Sequence, residues 1–128
     1  MKQIDNVSHA ILVVDDDPDI SMMLKLMLEY KGYSVTLLAK PDDTISTLEN
    51  GGYSMVIIDM LLSGISGIDI CGRIRQNGAT AACPVLMISA HPNAREICLQ
   101  AGADDFISKP FNMNDILARI DTLVSKQK

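Results

Sequence analysis

The chain has 128 residues, of which 48% are hydrophobic, enough for one domain with a hydrophobic core. Its formal charge of −5 argues against nonspecific binding to nucleic acid or to an anionic membrane surface. The cysteines show no C-x-x-C spacing, which argues against a disulfide framework and favours the reducing cytoplasm. No apolar run approaches the length of a membrane span, and residues 1–9 are predicted to form a polar tail because they lack the apolar segment of a signal peptide.

Short apolar segments of strand length alternate with amphipathic segments along the chain. The amphipathic segments carry apolar residues at the three- and four-residue spacing of helices. Strands that are nearly all apolar are typical of a parallel sheet covered by helices on both faces. The sequence therefore predicts a single α/β domain over residues 10–126. The predicted strands are residues 10–14, 34–39, 55–59, 85–89 and 105–108.

The helices between these strands have recognisable boundaries. Asp17 is the predicted N-cap of the first helix, and Gly32 ends it. The fourth helix is predicted to bury Ile97 among its apolar residues. Lys126 and Lys128 suit the negative end of the last helix dipole. The later helices are predicted to begin near Pro41, Ser66, Asn93 and Asn112.

Polar residues stand at the ends of four of the predicted strands. Asp15 and Asp16 follow the first strand, Asp59 ends the third, Ser89 ends the fourth and Lys109 follows the fifth. In open α/β sheets, ligands bind outside the carboxyl ends of the strands. The sequence therefore predicts one site that contains three carboxylates, a hydroxyl and an ammonium group.

Carboxylates that lie close together repel each other unless a cation neutralises them, which favours a bound divalent metal. Mg²⁺ fits better than Ca²⁺, because there is no EF-hand spacing and because Mg²⁺ accepts one or two carboxylates with water and phosphate oxygens. Zinc is disfavoured, since neither His9 nor His91 lies at ligand spacing from a cysteine or histidine. The alternative is a solvated acidic turn with Asp17 as a helix cap.

A carboxylate can act as the nucleophile in phosphoryl transfer, so Asp59 could form an aspartyl phosphate. Mg²⁺, Lys109 and Ser89 would then hold the three phosphoryl oxygens. Taken alone, Lys109 would be a salt-bridge partner and Ser89 a turn hydroxyl. The sequence does not decide whether the peptide bond between Lys109 and Pro110 is cis or trans, and cis is the rarer form.

These residues resemble the CheY-like receiver domain of two-component response regulators over residue 10 to about residue 125. The resemblance implies a flavodoxin-like α/β fold, in which five helices flank a doubly wound five-stranded parallel sheet of strand order 2-1-3-4-5. The matching motifs are Val13-Val-Asp-Asp16, Ile58-Asp59-Met60, Ile88-Ser89-Ala90 and Gly102-Ala-Asp-Asp-Phe-Ile-Ser-Lys-Pro-Phe111.

By this resemblance, Asp59 accepts a phosphoryl group from a histidine kinase or a histidine phosphotransfer protein. The chain is then a switch that phosphorylates and dephosphorylates itself, and not an enzyme with turnover. Asp16, Asp59 and the carbonyl of Leu61 would ligate Mg²⁺, and Asp15 would reach it through water. Ser89 and Lys109 would contact the phosphoryl oxygens.

The resemblance also implies a switch surface on the fourth helix, the fifth strand and the fifth helix. Ser89 would move toward the phosphoryl group and the ring of Phe106 would turn inward, which would signal to an unknown partner or output domain. Phe106 replaces the usual tyrosine, so a phenolic hydrogen bond is lost. Four charges resemble those of a phosphorylation-dependent homodimer through this surface, although two of them, Asp105 and Arg119, could equally pair within one molecule. The four are Arg95, Asp105, Asp115 and Arg119.

Leu61 and His91 stand at family positions that tune self-dephosphorylation. Leu61 cannot hydrogen-bond an attacking water, which predicts a long-lived phosphoryl group. His91 could orient that water only if its ring turned inward, and the alternative is a solvated ring. The loop at 62–67 keeps two glycines but lacks the proline that is usual there.

Three other classes fit less well. A phosphatase of the haloacid dehalogenase type needs a second acid two residues after Asp59, where this chain has Leu61. A nucleotide-binding domain needs glycines after the first strand, where this chain has Asp15, Asp16 and Asp17. A degenerate receiver that is never phosphorylated would lack the acid pair, the acceptor or the lysine, and the sequence has all of them. The output, the cognate kinase and any larger protein that contains this domain are not indicated.

Overall fold

The computed structural model describes residues 9–62 and 64–125, and its centre is a sheet of five parallel strands. The strand order is β2-β1-β3-β4-β5, which confirms the predicted flavodoxin-like order 2-1-3-4-5. The strands are β1 (Ala10–Val14), β2 (Ser34–Leu38), β3 (Met55–Asp59), β4 (Val85–Ser89) and β5 (Asp105–Ser108).

Five helices flank the sheet, as predicted. They are α1 (Pro18–Tyr30), α2 (Thr44–Gly51), α3 (Gly67–Gln76), α4 (Ala94–Gln100) and α5 (Met113–Ser125). A 3₁₀ turn at Pro41–Asp43 leads into α2. A small hairpin that the sequence did not predict pairs Leu61–Leu62 with Ile65–Ser66. Within the described ranges, no helix is both long and apolar enough to span a bilayer.

The helix boundaries follow from local side-chain chemistry. The Asp17 carboxylate accepts hydrogen bonds from the backbone N–H groups of Asp19 and Ile20 and so caps α1, as predicted. Gly32 ends this helix with a φ of 98°, a conformation that favours glycine. The Ser66 hydroxyl accepts a hydrogen bond from the Ile68 N–H and caps α3. Residues 1–8 of the predicted tail, and Lys126 and Lys128, lie outside the described residues. His9, the last residue of the predicted tail, is half-buried, and its Nδ1 shares a hydrogen bond of 2.9 Å with the Ser54 hydroxyl.

The core has two layers, one on each face of the sheet, because successive residues of a strand point to opposite sides. In β3, Val56 and Ile58 pack toward α3 and α4, whereas Met55 and Ile57 pack toward α1 and α5. All five residues of β3 are buried, which places this strand at the centre of the sheet. Asp59, its last residue, is therefore positioned by a rigid element.

One core prediction is wrong: Ile97 is 47% exposed. The helix α4 is short, and the residues that it buries against the sheet are the small Ala94 and Cys98, one turn apart. Ile97 lies about 60° or more from these two around the helix, so its side chain turns to solvent. The residues Ile70, Cys71 and Ile74 of α3, by contrast, are buried as predicted.

Candidate functional site

The parallel register brings the predicted polar residues to one edge of the sheet. Val14 of β1 lies beside Ile58 of β3, so Asp15 and Asp59 follow on neighbouring strands. Ser89 of β4 pairs with Ser108 of β5, directly before Lys109. Asp15, Asp59 and Ser89 are buried and Lys109 is half-buried. The expected convergence at the carboxyl edge is therefore present for these four residues.

The Asp59 carboxylate is held at both oxygens. Its Oδ2 accepts a hydrogen bond of 2.8 Å from Lys109 Nζ, and its Oδ1 accepts one of 3.1 Å from the backbone N–H of Leu61. Lys109 Nζ also lies 3.8 Å from Asp15 Oδ2. One ammonium group thus faces two buried carboxylates, and the aspartate at the end of β3 has a fixed orientation.

One oxygen of the buried Asp15 carboxylate lacks a hydrogen-bond donor among the described residues, although Lys109 lies nearby. Asp15 Oδ1 accepts a hydrogen bond of 2.9 Å from the Asp17 N–H, but its Oδ2 is buried and has no hydrogen-bond partner. Burial raises the pKa of Asp15 above 3.8, and the nearby charge of Asp59 raises it further, while the Asp17 N–H and Lys109 lower it. Burial acts to lower the pKa of Lys109, but its hydrogen bond to Asp59 and the two carboxylate charges raise it overall.

The acidic residues at this edge offer oxygen ligands to a divalent cation. No group of three or more His, Cys, Asp or Glu side chains that could hold a metal occurs in the part of the chain that the structure describes. Mg²⁺ usually takes only one or two protein carboxylates and keeps several waters. Asp15 and Asp59 meet that requirement, and the unpartnered Asp15 Oδ2 is an oxygen that a cation would satisfy. Asp16, the other predicted acidic ligand, is exposed beside them.

Ser89 lies between the acceptor strand and the lysine strand. Its hydroxyl accepts a hydrogen bond of 3.0 Å from the His91 N–H, and its carbonyl accepts one of 2.9 Å from the Lys109 N–H. The Lys109–Pro110 peptide is cis, the rarer of the two forms that the sequence left open. The ring of His91 is exposed and its Nδ1 accepts a hydrogen bond from the Asn93 N–H, which agrees with the solvated alternative for this histidine.

Gly67 contacts the site in a way that the sequence analysis missed. A Cβ at this position would lie 2.3 Å from the Asp59 carbonyl oxygen and 2.9 Å from the Met60 Cα. The Gly67 N–H also donates a hydrogen bond of 2.8 Å to the Met60 carbonyl. Glycine therefore lets α3 begin directly against the backbone of the acceptor residue. The available signal was the second glycine of the 62–67 loop.

Phe106 and three of the four charged residues of the predicted switch surface make contacts within one molecule. Phe106 is buried in the same core cluster as Ala94 and Cys98, so its ring already faces inward. Arg119 donates to Asp105 at 2.8 Å and to Asp115 at 3.2 Å. The intramolecular alternative for Asp105 and Arg119 is the arrangement that the structure shows.

Asp15→Asn is expected to stabilise the protein when divalent cations are absent. The change removes a buried charge whose pKa is raised by burial and by the charge of Asp59, which we expect to add about 1–2 kcal/mol to the free energy of unfolding. Thermal unfolding in chelator should show the gain, and millimolar Mg²⁺ should stabilise the variant less than the wild type. An Asp15→Asn variant that unfolds at a lower temperature in chelator would contradict this account of Asp15.

The chain matches a family of known proteins over most of its length. The model of the response regulator receiver domain matches residues 11–121. A curated relative, the uncharacterized transcriptional regulatory protein YkoG of Bacillus subtilis, is 37% identical over 112 residues, covering 86% of this chain and 48% of the relative. The chain spans about half the length of the curated relatives that it matches. These three relatives are named as transcriptional regulatory proteins.

Solved structures give the same result. A putative response regulator from Chloroflexus aurantiacus superposes with a TM-score of 0.87 at 33% identity, covering 91% of this chain and 98% of that chain. The receiver domain of the sensor histidine kinase PA1611 from Pseudomonas aeruginosa has a magnesium ion coordinated in its active-site cleft. Its TM-score is 0.84 at 28% identity, with 91% and 98% of the two chains covered. The sheet order, the acid and lysine edge and the family match together show that the chain belongs to the response regulator receiver domain family.

Proposed function

We propose that the chain accepts a phosphoryl group on Asp59 and acts as a phosphorylation-dependent switch in a two-component phosphorelay. The observation that carries this proposal is the contact between Lys109 Nζ and Asp59 Oδ2 at 2.8 Å, beside the unsatisfied carboxylate of Asp15. A purely structural ion pair would not need a second buried carboxylate at this place, because that carboxylate costs free energy.

In the proposed reaction, an Asp59 carboxylate oxygen forms a bond to the phosphorus of a phosphohistidine, and the bond from phosphorus to the imidazole nitrogen breaks. The imidazole leaves with the electron pair of that bond and takes a proton from solvent when it is released in neutral form. The hydrogen bond from the Leu61 N–H and the contact with Lys109 keep the nucleophile oriented. Lys109 would follow the negative charge onto the phosphoryl oxygens, and the Ser89 hydroxyl would donate to one of them.

Asp16, Asp59 and the carbonyl of Leu61 would ligate Mg²⁺ at this edge, and Asp15 would reach it through water. The bound cation would neutralise phosphoryl oxygens on the side that Lys109 does not reach. Before phosphorylation, Lys109 is the cationic side chain within the described ranges that pairs with both buried carboxylates. These residues therefore suit a divalent cation, which would offset the negative charge of Asp59 and that of the phosphoryl group on the donor.

The proposed output is a change in the surface formed by α4, β5 and α5. Ser89 would exchange the hydrogen bond from His91 for one to the phosphoryl group, which would shift the start of α4 against the inward ring of Phe106. A phosphorylation-dependent homodimer through this surface remains a prediction. In such a dimer, Arg119 would either give up its pair with Asp105 or Asp115 of its own chain, or contact a carboxylate of each chain at once.

The proposed partners are a histidine kinase or a histidine phosphotransfer protein as the donor, and an unidentified protein or output domain as the receiver of the signal. Longer curated relatives are named as transcriptional regulators. This chain would not contact nucleic acid itself, since its charge of −5 opposes binding to phosphates. The cytoplasm is the proposed compartment, because the three cysteines are free thiols.

Incubation with a small phosphodonor such as acetyl phosphate tests this function without the cognate kinase. In millimolar Mg²⁺ we expect the intact mass to increase by one phosphoryl group per chain, and in excess chelator we expect the increase to fall to background. Absence of any increase in Mg²⁺ would instead identify a degenerate receiver that works only as an interaction module.

A further inference from the structure

Helix α1 contains a buried polar residue that the proposed phosphorylation chemistry does not use. Ser21 lies near the start of the helix and is 6% exposed. It belongs to the same core-facing stripe as Leu24 and Leu28, where the helical pattern calls for an apolar side chain. Burying a hydroxyl costs free energy unless the group is hydrogen-bonded, so the partner of Ser21 indicates what serine does at this position.

The partner of Ser21 is the backbone of the acidic turn that follows β1. The Ser21 hydroxyl donates a hydrogen bond of 2.9 Å to the carbonyl oxygen of Asp15. This carbonyl belongs to the peptide group that joins Asp15 to Asp16. Because a peptide group is planar and rotates as one unit, its orientation sets the directions in which both acidic side chains leave the backbone. The hydroxyl therefore fixes a peptide plane on which the aim of two carboxylates depends.

Other hydrogen bonds tie the same turn to the start of α1. The Asp17 N–H donates to Asp15 Oδ1 at 2.9 Å, and the Ser21 N–H donates to the Asp17 carbonyl at 3.0 Å. These two bonds use backbone donors, which nearly any residue supplies. The bond from the Ser21 side chain, by contrast, needs a hydroxyl at this position. It links the core-facing side of α1 to the peptide between the two acids.

We propose that Ser21 is a positioning residue for the proposed Mg²⁺ site and acts through its hydrogen bond to the Asp15 carbonyl. Alanine at this position would leave that carbonyl without the hydroxyl donor, which favours rotation of the Asp15–Asp16 peptide. Such a rotation would move the two acidic side chains relative to Asp59. Loss of a group that orients metal ligands typically weakens metal binding by about 10–100-fold. The inference rests on the proposed binding of Mg²⁺ at this edge.

Titration of the unphosphorylated full chain with MgCl₂, followed through the NMR signals of its backbone amides, tests the proposal. We expect Ser21→Ala to increase the dissociation constant for Mg²⁺ at least about tenfold. Ser21→Thr keeps the hydroxyl donor, so its dissociation constant should stay within about threefold of the wild-type value. Circular dichroism at the titration temperature verifies that each variant is folded.

Thr80→Val is the matched control for the loss of a buried hydroxyl. Thr80 is 3% exposed, and its hydroxyl donates a hydrogen bond of 2.8 Å to the carbonyl of Ile74. Both hydroxyls thus reach a carbonyl six residues earlier in the chain. Thr80 precedes β4, at the amino ends of the parallel strands, whereas Asp59 lies at their carboxyl ends. Thr80→Val should lower the melting temperature but keep the dissociation constant for Mg²⁺ within about twofold of the wild-type value.

A second measurement tests the position of the acidic turn without a metal. In chelator, the amide proton signal of Asp17 reports the hydrogen bond to Asp15 Oδ1, because a strong bond to a carboxylate shifts such a signal downfield. We expect the signal to move upfield in Ser21→Ala, since rotation of the turn lengthens this bond, and to stay in place in Thr80→Val.

The outcomes separate this role of Ser21 from the proposed function. If the wild type binds Mg²⁺ and Ser21→Ala binds it equally well, or if the Asp17 signal does not move, the role of Ser21 is overturned and the proposed function stands. A loss of affinity in Ser21→Thr or Thr80→Val as large as that in Ser21→Ala also overturns it. A wild type that does not bind Mg²⁺ overturns the proposed function together with this inference.

Discussion

Asp59→Asn is expected to abolish phosphoryl incorporation from a small phosphodonor, to less than about 1% of the wild-type level. The amide is not a nucleophile at neutral pH, and Asp59 is the carboxylate that accepts the 2.8 Å hydrogen bond from Lys109 Nζ. The variant should fold at least as well as the wild type, because the loss of one carboxylate relieves the repulsion with Asp15. Loss of the label would therefore not reflect unfolding, and circular dichroism with thermal unfolding would verify this.

Asp17→Asn is the matched control for that experiment. Asp17 is an acid two residues from Asp15, but its carboxylate caps α1 through the N–H groups of Asp19 and Ile20. Asparagine caps helices about as well as aspartate, so the fold should be unaffected. Incorporation should stay within about twofold of the wild type. Label that persists in Asp59→Asn at the wild-type level would overturn the assignment of the acceptor.

Leu61→Asn is expected to shorten the lifetime of the phosphoryl group about tenfold, which corresponds to about 1.4 kcal/mol of activation free energy. Leu61 is 62% exposed, and its own N–H donates to Asp59 Oδ1, so its side chain stands at the mouth of the site. A leucine cannot hydrogen-bond an attacking water, whereas an asparagine can orient one. Because the side chain is largely outside the core, the substitution should not alter stability.

Phosphate release from purified phosphorylated protein in Mg²⁺ measures this effect. Leu61→Met is the matched control, since methionine has a similar volume and forms no comparable hydrogen bond to water. Its release rate should equal that of the wild type. Rapid release by the wild type that Leu61→Asn does not accelerate would contradict the proposed role of Leu61.

The sheet could be predicted because the residue patterns of its central strands fit few structures other than a buried strand. The residues Met55–Asp59 and Val85–Ser89 form short apolar runs that each end in one polar residue, a pattern that is hard to place except in a buried parallel strand. The convergence of Asp15, Asp59, Ser89 and Lys109 then follows from topology alone. These are the parts of the site that the sequence specifies through secondary structure.

Other features depended on packing that has no local pattern. Whether Ile97 is buried depends on the shape of the sheet beneath α4, where only the narrow face of Ala94 and Cys98 fits. The choice of Arg119 between its own chain and a second copy depends on distances that a sequence does not contain. The close approach of Gly67 to the Asp59 carbonyl and the unsatisfied Asp15 Oδ2 likewise appear only in three dimensions.

The contacts of Lys109 connect the acceptor aspartate to the strands β4 and β5. Lys109 contacts Asp59 and joins β5 to the carbonyl of Ser89, so a change in charge at Asp59 reaches two neighbouring strands at once. Both strands lead toward the α4-β5-α5 surface. In the proposed output, Ser89 and Lys109, which would also bind the phosphoryl group, would act on the α4-β5-α5 surface together with the buried ring of Phe106 on β5.

The central claim is that Asp59 carries the phosphoryl group, and peptide mapping of the phosphorylated wild-type protein tests it most directly. After incubation with acetyl phosphate and Mg²⁺, reduction with borohydride converts an aspartyl phosphate to homoserine and marks the modified position. The account predicts homoserine at residue 59 and unmodified aspartate at positions 15, 16 and 17. Homoserine at any of those three positions, with Asp59 intact, would contradict it.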